Sequence, residues 1–240
     1  MPRIRLVLIG LAVVLAVSAL ASATASASTE FVGAQCLPRA DGHGHWKDSK
    51  CSEPGTNVPY ETDEITNSPV EGEGVTAVLK VEIGTTKIYI DCQKTAFTGR
   101  LEKGNKSSAT LTYKECKLYE EATGKSVPSC TVEDITASVV GKIIGSKGAL
   151  EEEFTPKENE EFTKIKISGA SCVLKGTFEI KGSQKCGLPD AESQLVTHTI
   201  ECKESGSSLK LGSRPATYRS TIIIIIIVVH DTWWIIIIFQ

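Results

Sequence analysis

From Val75 onward the side chains alternate between apolar and polar, and this period-two pattern limits the fold more than any other feature of the chain. In an extended strand neighbouring side chains point to opposite faces, so alternation means a strand with one buried face. Val75, Ala77, Leu79, Val81 and Ile83 carry one such face, and Ile88, Ile90 and Cys92 carry the next, across a Gly84-Thr85 turn. Phe97, Gly99 and Leu101 lead into a turn at Lys103-Gly104-Asn105, and Ala109, Leu111 and Tyr113 lead out of it. The pattern returns at Ile165, Ile167 and Gly169, then at Cys172, Leu174, Gly176, Phe178 and Ile180, and again at Val196, His198, Ile200 and Cys202. Strands joined by short turns, with no helices between them, predict an all-β chain: an antiparallel β-sandwich or barrel-like domain. The glutamate-rich stretch 149–161 is the one place where a helix fits, and Pro156 interrupts it.

The two ends differ from this middle. Residues 1–27 read as a secretory signal peptide: Arg3 and Arg5 at the head, an apolar run from Leu6 to Leu20, and a small-residue end at Ala25-Ser26-Ala27. Residues 28–74 hold Gly, Pro, Asp and Asn at short intervals and no sustained period, which predicts an irregular N-terminal arm. The β domain then runs over 75–240. Cys116 to Cys130 and Cys172 to Cys186 share one spacing, an echo that admits two β halves, 75–145 and 146–240, although chance similarity among Thr-, Lys- and Gly-rich strands explains it as well. At the C-terminal end, the isoleucine runs around His230-Asp231-Thr232 read as a last hairpin, strands 217–229 and 233–239, with both faces buried. The competing reading is a membrane span over 222–239, opposed by the central Asp231 and by the lack of a basic anchor after it. A membrane enters only if that tail inserts; a sequence artefact in the homopolymeric run is the third reading.

All eight cysteines follow the leader, so an exported chain meets an oxidising compartment with an even number of thiols. The disulfide candidates are Cys36, Cys51, Cys92, Cys116, Cys130, Cys172, Cys186 and Cys202. Cys92, Cys172 and Cys202 fall on inward faces, while Cys116, Cys130 and Cys186 fall beside turn residues. Short loops favour the pairs Cys36–Cys51 and Cys116–Cys130, which leaves Cys92–Cys172 and Cys186–Cys202 among the hundred or so pairings that eight thiols allow. The segment Tyr113-Lys-Glu-Cys116, Cys130-Thr-Val132 and Val139-Val-Gly-Lys-Ile143, with Leu209 to Tyr218 and Trp233 near the end, resembles uncharacterised secreted, cysteine-paired β-rich proteins of soil actinobacteria. That resemblance implies a fold and no activity.

Sites of chemistry are hard to find in the sequence. His43-Gly-His45 lies between Cys36 and Cys51, yet zinc needs thiolates and exported cysteines are normally oxidised, so no metal site is assigned. His198 reads as a buried, hydrogen-bonded core residue, and His230-Asp231 as neighbours on opposite strand faces. No nucleophile motif, phosphate loop or calcium loop is present, and no cofactor is expected. Glu151-Glu152-Glu153 and the glutamates at 158, 160 and 161 read as a solvated charged face. Asn105-Lys106-Ser107 is a glycosylation sequon in an exposed turn. Loss of Arg3 and Arg5 would leave 24 basic against 29 acidic side chains, an acidic balance that argues against nucleic acid. The reading is a secreted, disulfide-bonded β protein, extracellular or at the cell envelope. It is a non-enzymatic structural or binding module whose partner is a cell-envelope polymer or an extracellular protein. The alternatives are a secreted hydrolase with dispersed catalytic residues and an envelope protein held by its apolar tail.

Overall fold

The computed structural model describes residues 31–190, 197–226 and 235–239, apart from Lys50, Ile65, Lys147 and Asn159. The expected leader 1–27 and the turn expected at His230-Asp231-Thr232 lie outside the described residues. In chain order the strands are β1 (Phe31–Pro38), β2 (Gly44–Trp46), β3 (Pro54–Val58), β4 (Tyr60–Glu64), β5 (Asn67–Ile83), β6 (Thr86–Glu102), β7 (Lys106–Glu120), β8 (Thr131–Val132) and β9 (Ile135–Ser146). There follow β10 (Ala149–Pro156), β11 (Glu161–Ser168), β12 (Gly176–Lys181), β13 (Gln184–Gly187), β14 (Thr197–Ser207), β15 (Lys210–Leu211), β16 (Arg214–Pro215), β17 (Thr217–Ile226) and β18 (Ile235–Phe239). The all-β class predicted from the alternation is what the chain adopts.

Eight of these strands close into an antiparallel barrel in the order β10-β13-β14-β17-β5-β6-β7-β9. Closure leaves those strands without a free edge. The longest pair, β5 and β6, is joined by the two-residue turn Gly84-Thr85, with Ile83 opposite Thr86. Gly84 has φ +63°, which a hairpin turn of this length requires and which only glycine adopts without cost.

The alternation slips by one residue at a single level of the barrel wall. On β5 the inward side changes from Val70, Gly72 and Gly74 to Ala77, Leu79 and Val81; on β6 it changes from Ile88, Ile90 and Cys92 to Thr95 and Phe97. On β7 it changes from Ala109, Leu111 and Tyr113 to Leu118, with Glu115 at φ +55°. The register confirms one shared bend, since Gly74 faces Thr95 and Ala77 faces Cys92, while Cys92 faces Cys116. Extra residues of this kind bend a strand and re-aim its side chains. Beyond the bend, the far halves of β5, β6 and β7 pack Leu79, Val81, Ile88, Ile90 and Leu118 into one core with Phe162, Ile165, Ile167 and Ile180. Those last residues belong to a second sheet, β16-β15-β12-β11-β8.

Several expectations are corrected. Strand β5 begins at Asn67 and not at Val75, and the segment before it carries four strands in a small sheet of order β18-β1-β4-β2-β3. Pro and Gly within that segment mark strand ends and short edge strands, which is why no period is visible there. The glutamate-rich stretch forms strand β10 and not a helix, because Leu150, Glu152 and Phe154 share an inward face. At the far end, β18 pairs with β1, Phe31 opposite Phe239, so it is not the hairpin partner of β17 expected from the sequence. Nor are both faces of β17 buried: Ile222 and Ile224 point inward, while Ile223 is 52 % exposed. A run of one residue type hides its period, and only the neighbouring strands reveal it. Among the described residues no helix is long and apolar enough to cross a membrane.

The cysteines pair as Cys36–Cys51, Cys92–Cys116, Cys130–Cys172 and Cys186–Cys202. Two of these match the expected pairs; Cys116–Cys130 and Cys92–Cys172 are overturned. Cys92 and Cys116 are direct register partners on β6 and β7, as Cys186 and Cys202 are on β13 and β14. Cys130 meets Cys172 because β8 pairs with the end of β11, Ser168 opposite Thr131, which brings the loops beside those strands together. Strand register, not distance along the chain, decides the partners.

Candidate functional site

The barrel interior is occupied by its own side chains, and several of the polar ones are tied to each other, while Thr95 Oγ1 and Gln184 Oε1 have no hydrogen-bond partner among the described residues. Tyr113 donates to the Tyr218 hydroxyl at 3.0 Å, and Tyr218 donates to Ser220 Oγ at 2.6 Å. Burial pushes both phenols above the ordinary tyrosine value. Together with Leu79, Ile90, Phe162 and Ile180, the two tyrosines line a cavity of about 30 Å³ between the barrel and the second sheet. That is room for about one water molecule, so the core there is packed and holds no organic ligand.

On the other side of the barrel, Glu152 points inward from β10 and is only 6 % exposed. Its Oε1 accepts a hydrogen bond from the Ser107 hydroxyl on β7. Burial raises its pKa to about 7, and the serine bond partly offsets that rise. Gly141 on β9 makes the arrangement possible, since a Cβ there would lie 2.1 Å from Glu152 Oε1 and 2.2 Å from Ser107 Oγ. The sequence reading of a solvated glutamate face fails at this residue, although Glu151 is exposed as expected. The signal that would have found it is the alternation Leu150-x-Glu152-x-Phe154. The sequon is also re-read: Ser107 is buried, and Asn105 spends its side-chain amide on the Ile143 carbonyl at 3.2 Å.

The histidines disperse. His43 Nδ1 lies 3.0 Å from Asn57 Oδ1, and His45 is bonded to Glu61, both on the exposed N-terminal sheet. Cys36 and Cys51, which flank them in sequence, are bonded to each other. Among the described residues no group of three or more His, Cys, Asp or Glu side chains is placed to hold a metal ion. His198 is buried with Nδ1 3.1 Å from the Asp190 carbonyl, as its place between Val196 and Ile200 predicts.

Open space lies on the outer wall. A depression of about 480 Å³ crosses β14, β17 and β5 and is lined by Thr76, Val78, Lys203, Glu204, Arg219 and Thr221, with Cys202 and Ser220 beneath. It sits at the bend: Ala77 faces Ser220 and Gly74 faces Ile222, so Val75 and Thr76 together oppose Thr221 alone. A second depression of about 340 Å³ is framed by Pro156, Lys157, Glu158, Glu160 and Gly182. Its glutamates are exposed, with Lys157 beside them. Of the eight cysteines singled out in the sequence, Cys202 lies beneath the first depression, and all eight brace the fold as disulfides. The other residues that line the first depression were not singled out by the sequence, because none carries a motif. Comparison with protein-family models, with curated proteins and with solved structures finds nothing that matches this chain.

Proposed function

We propose that the chain is a secreted, non-enzymatic binding module that engages a cell-envelope polymer or an extracellular protein through the outer wall of its barrel. One observation carries this reading: the cavity between the barrel and the second sheet has only about 30 Å³, while the outer wall offers a depression of about 480 Å³. Binding sites need concave room and a few placed polar groups, and that combination lies outside the barrel. Four disulfides fit a chain that works where thiols are oxidised. The barrel's outward rows, with Glu71, Glu73, Lys80, Lys94, Lys114 and Lys142, suit water and a polar partner rather than lipid.

The experiment is co-sedimentation of the purified mature protein with washed cell-wall material, with bovine albumin as the control. Retention in the pellet is expected. The hydrolase alternative draws on the depression that holds Glu158 and Glu160. Absence of retention, combined with cleavage of a model glycoside that disappears in Glu158→Gln and Glu160→Gln, would replace the binding reading with that one.

A further inference from the structure

We infer that the depression across β14, β17 and β5 is a site for the carboxylate of an acidic polysaccharide, with Arg219 as its anchor. The inference rests on the binding role just proposed and names its ligand class. Arg219 is exposed on β17 and has neither a hydrogen bond nor an ion pair from its side chain among the described residues. The other charges of the depression have partners. Lys80 holds Glu204 at 2.9 Å, and Lys203 reaches Glu201 at 3.7 Å. Cys202 faces Ser220, so Lys203 and Arg219, the next residues on the two strands, stand side by side on the outer face. Two cations on adjacent strands repel unless an anion lies between them. The unmatched charge is a single positive one, which suits a monoanionic group. A guanidinium presents a planar fork that matches a carboxylate in two parallel hydrogen bonds.

The rest of the lining fits a sugar. The hydroxyls of Thr76 and Thr221 make no side-chain hydrogen bond among the described residues and are free to donate to or accept from sugar hydroxyls. Val78, only 7 % exposed, supplies an apolar floor for the C–H face of a pyranose ring. The Cys186–Cys202 bond ties β14 to β13 below it and stiffens that floor. An acidic peptide fits less well, because extended peptides add to open sheet edges and these strands are closed into a barrel. The chain's overall negative charge repels an acidic polymer at a distance. Capture therefore depends on the local cations, and loss of Arg219 should be felt in full.

The test is calorimetric titration of the disulfide-intact protein with oligogalacturonate and, separately, with the same oligosaccharide fully methyl-esterified. The acid form should bind, the ester at least about tenfold more weakly. Arg219→Gln should lose the acid form by a similar factor, while Lys175→Gln, exposed in the loop before β12 and outside the barrel strands, should keep it. Equal binding of acid and ester, unchanged binding by Arg219→Gln, or no binding of oligogalacturonate by the wild type would each overturn the proposal. If the wild type ignores oligogalacturonate yet still sediments with cell-wall material, this site assignment fails and the broader binding role stands. Loss of both results removes the two together.

Discussion

Glu152 is a carboxylic acid placed where a hydrocarbon would pack, and its surroundings set how the protein responds to pH. Its ordinary value of 4.5 rises to about 7 in the barrel. The unfolded chain releases this proton at lower pH than the native one, so between those two values the native state binds more protons. The contribution of Glu152 to stability is therefore whole below pH 4.5 and declines as pH rises through about 7. The difference corresponds to about 3 kcal/mol. Glu152→Gln keeps a partner for Ser107 and removes the titration. We expect the variant to gain on the wild type by up to ~3 kcal/mol in urea unfolding at pH 8, and the gap to narrow towards pH 5. Parallel stability curves for the two proteins across that range would show that the carboxyl is hydrated and not buried.

Among the elements, the bonds that brace the bend and the second sheet should be separable. Cys130–Cys172 spans 42 residues of sequence and ties β8 to the end of β11. In the chain-entropy view a loop of that size is worth about 4 kcal/mol. The double variant Cys130→Ser/Cys172→Ser should lower stability by up to that amount and speed amide exchange at Val132 and Ile167, while amides of β17 stay protected. Uniform acceleration would mean that the bond supports the barrel itself. A non-reducing peptide map should recover the Cys92–Cys116 and Cys130–Cys172 linkages; a Cys116–Cys130 peptide would refute the register described above. These strands were readable in advance wherever the alternation was clean, as in β11 and β14. Barrel closure was not, because it depends on β17 meeting β5 and β13 meeting β14 across long stretches of chain. The same reason hid the disulfide partners and the outer depression. Arg219, Val78 and Lys203 become neighbours only through register, and no local pattern announces that. Gly72 and Gly74 fall in the segment that the sequence predicts to be irregular, whereas they sit within β5, where atoms from the neighbouring strand come close.

At the scale of the molecule, most described side chains inside the barrel are apolar, Glu152 being the charged-type exception, and the ionised ones lie mainly outside, the reverse of a barrel built to face lipid. The proposed export would supply the oxidising surroundings that the four disulfides need, and the small-residue end of the expected leader predicts that mature protein begins at Ser28. N-terminal sequencing of material recovered outside the cell checks this, and a chain still starting at Met1 would remove the basis for the exported reading. The shared bend has a further consequence, for the ways in which this chain can change length. Deleting one residue at Val75-Thr76 would turn Leu79 and Val81 to the solvent and Lys80 to the core, because a strand has only two faces. The same holds at Gln93-Lys94 and at Glu115. Three stretches distant in sequence thus behave like a shared reading frame: a gain or loss in one is tolerable only when the other two compensate, whereas the loop 121–130 can lengthen freely. Descendants of this sequence should vary in that loop and keep count at the bend.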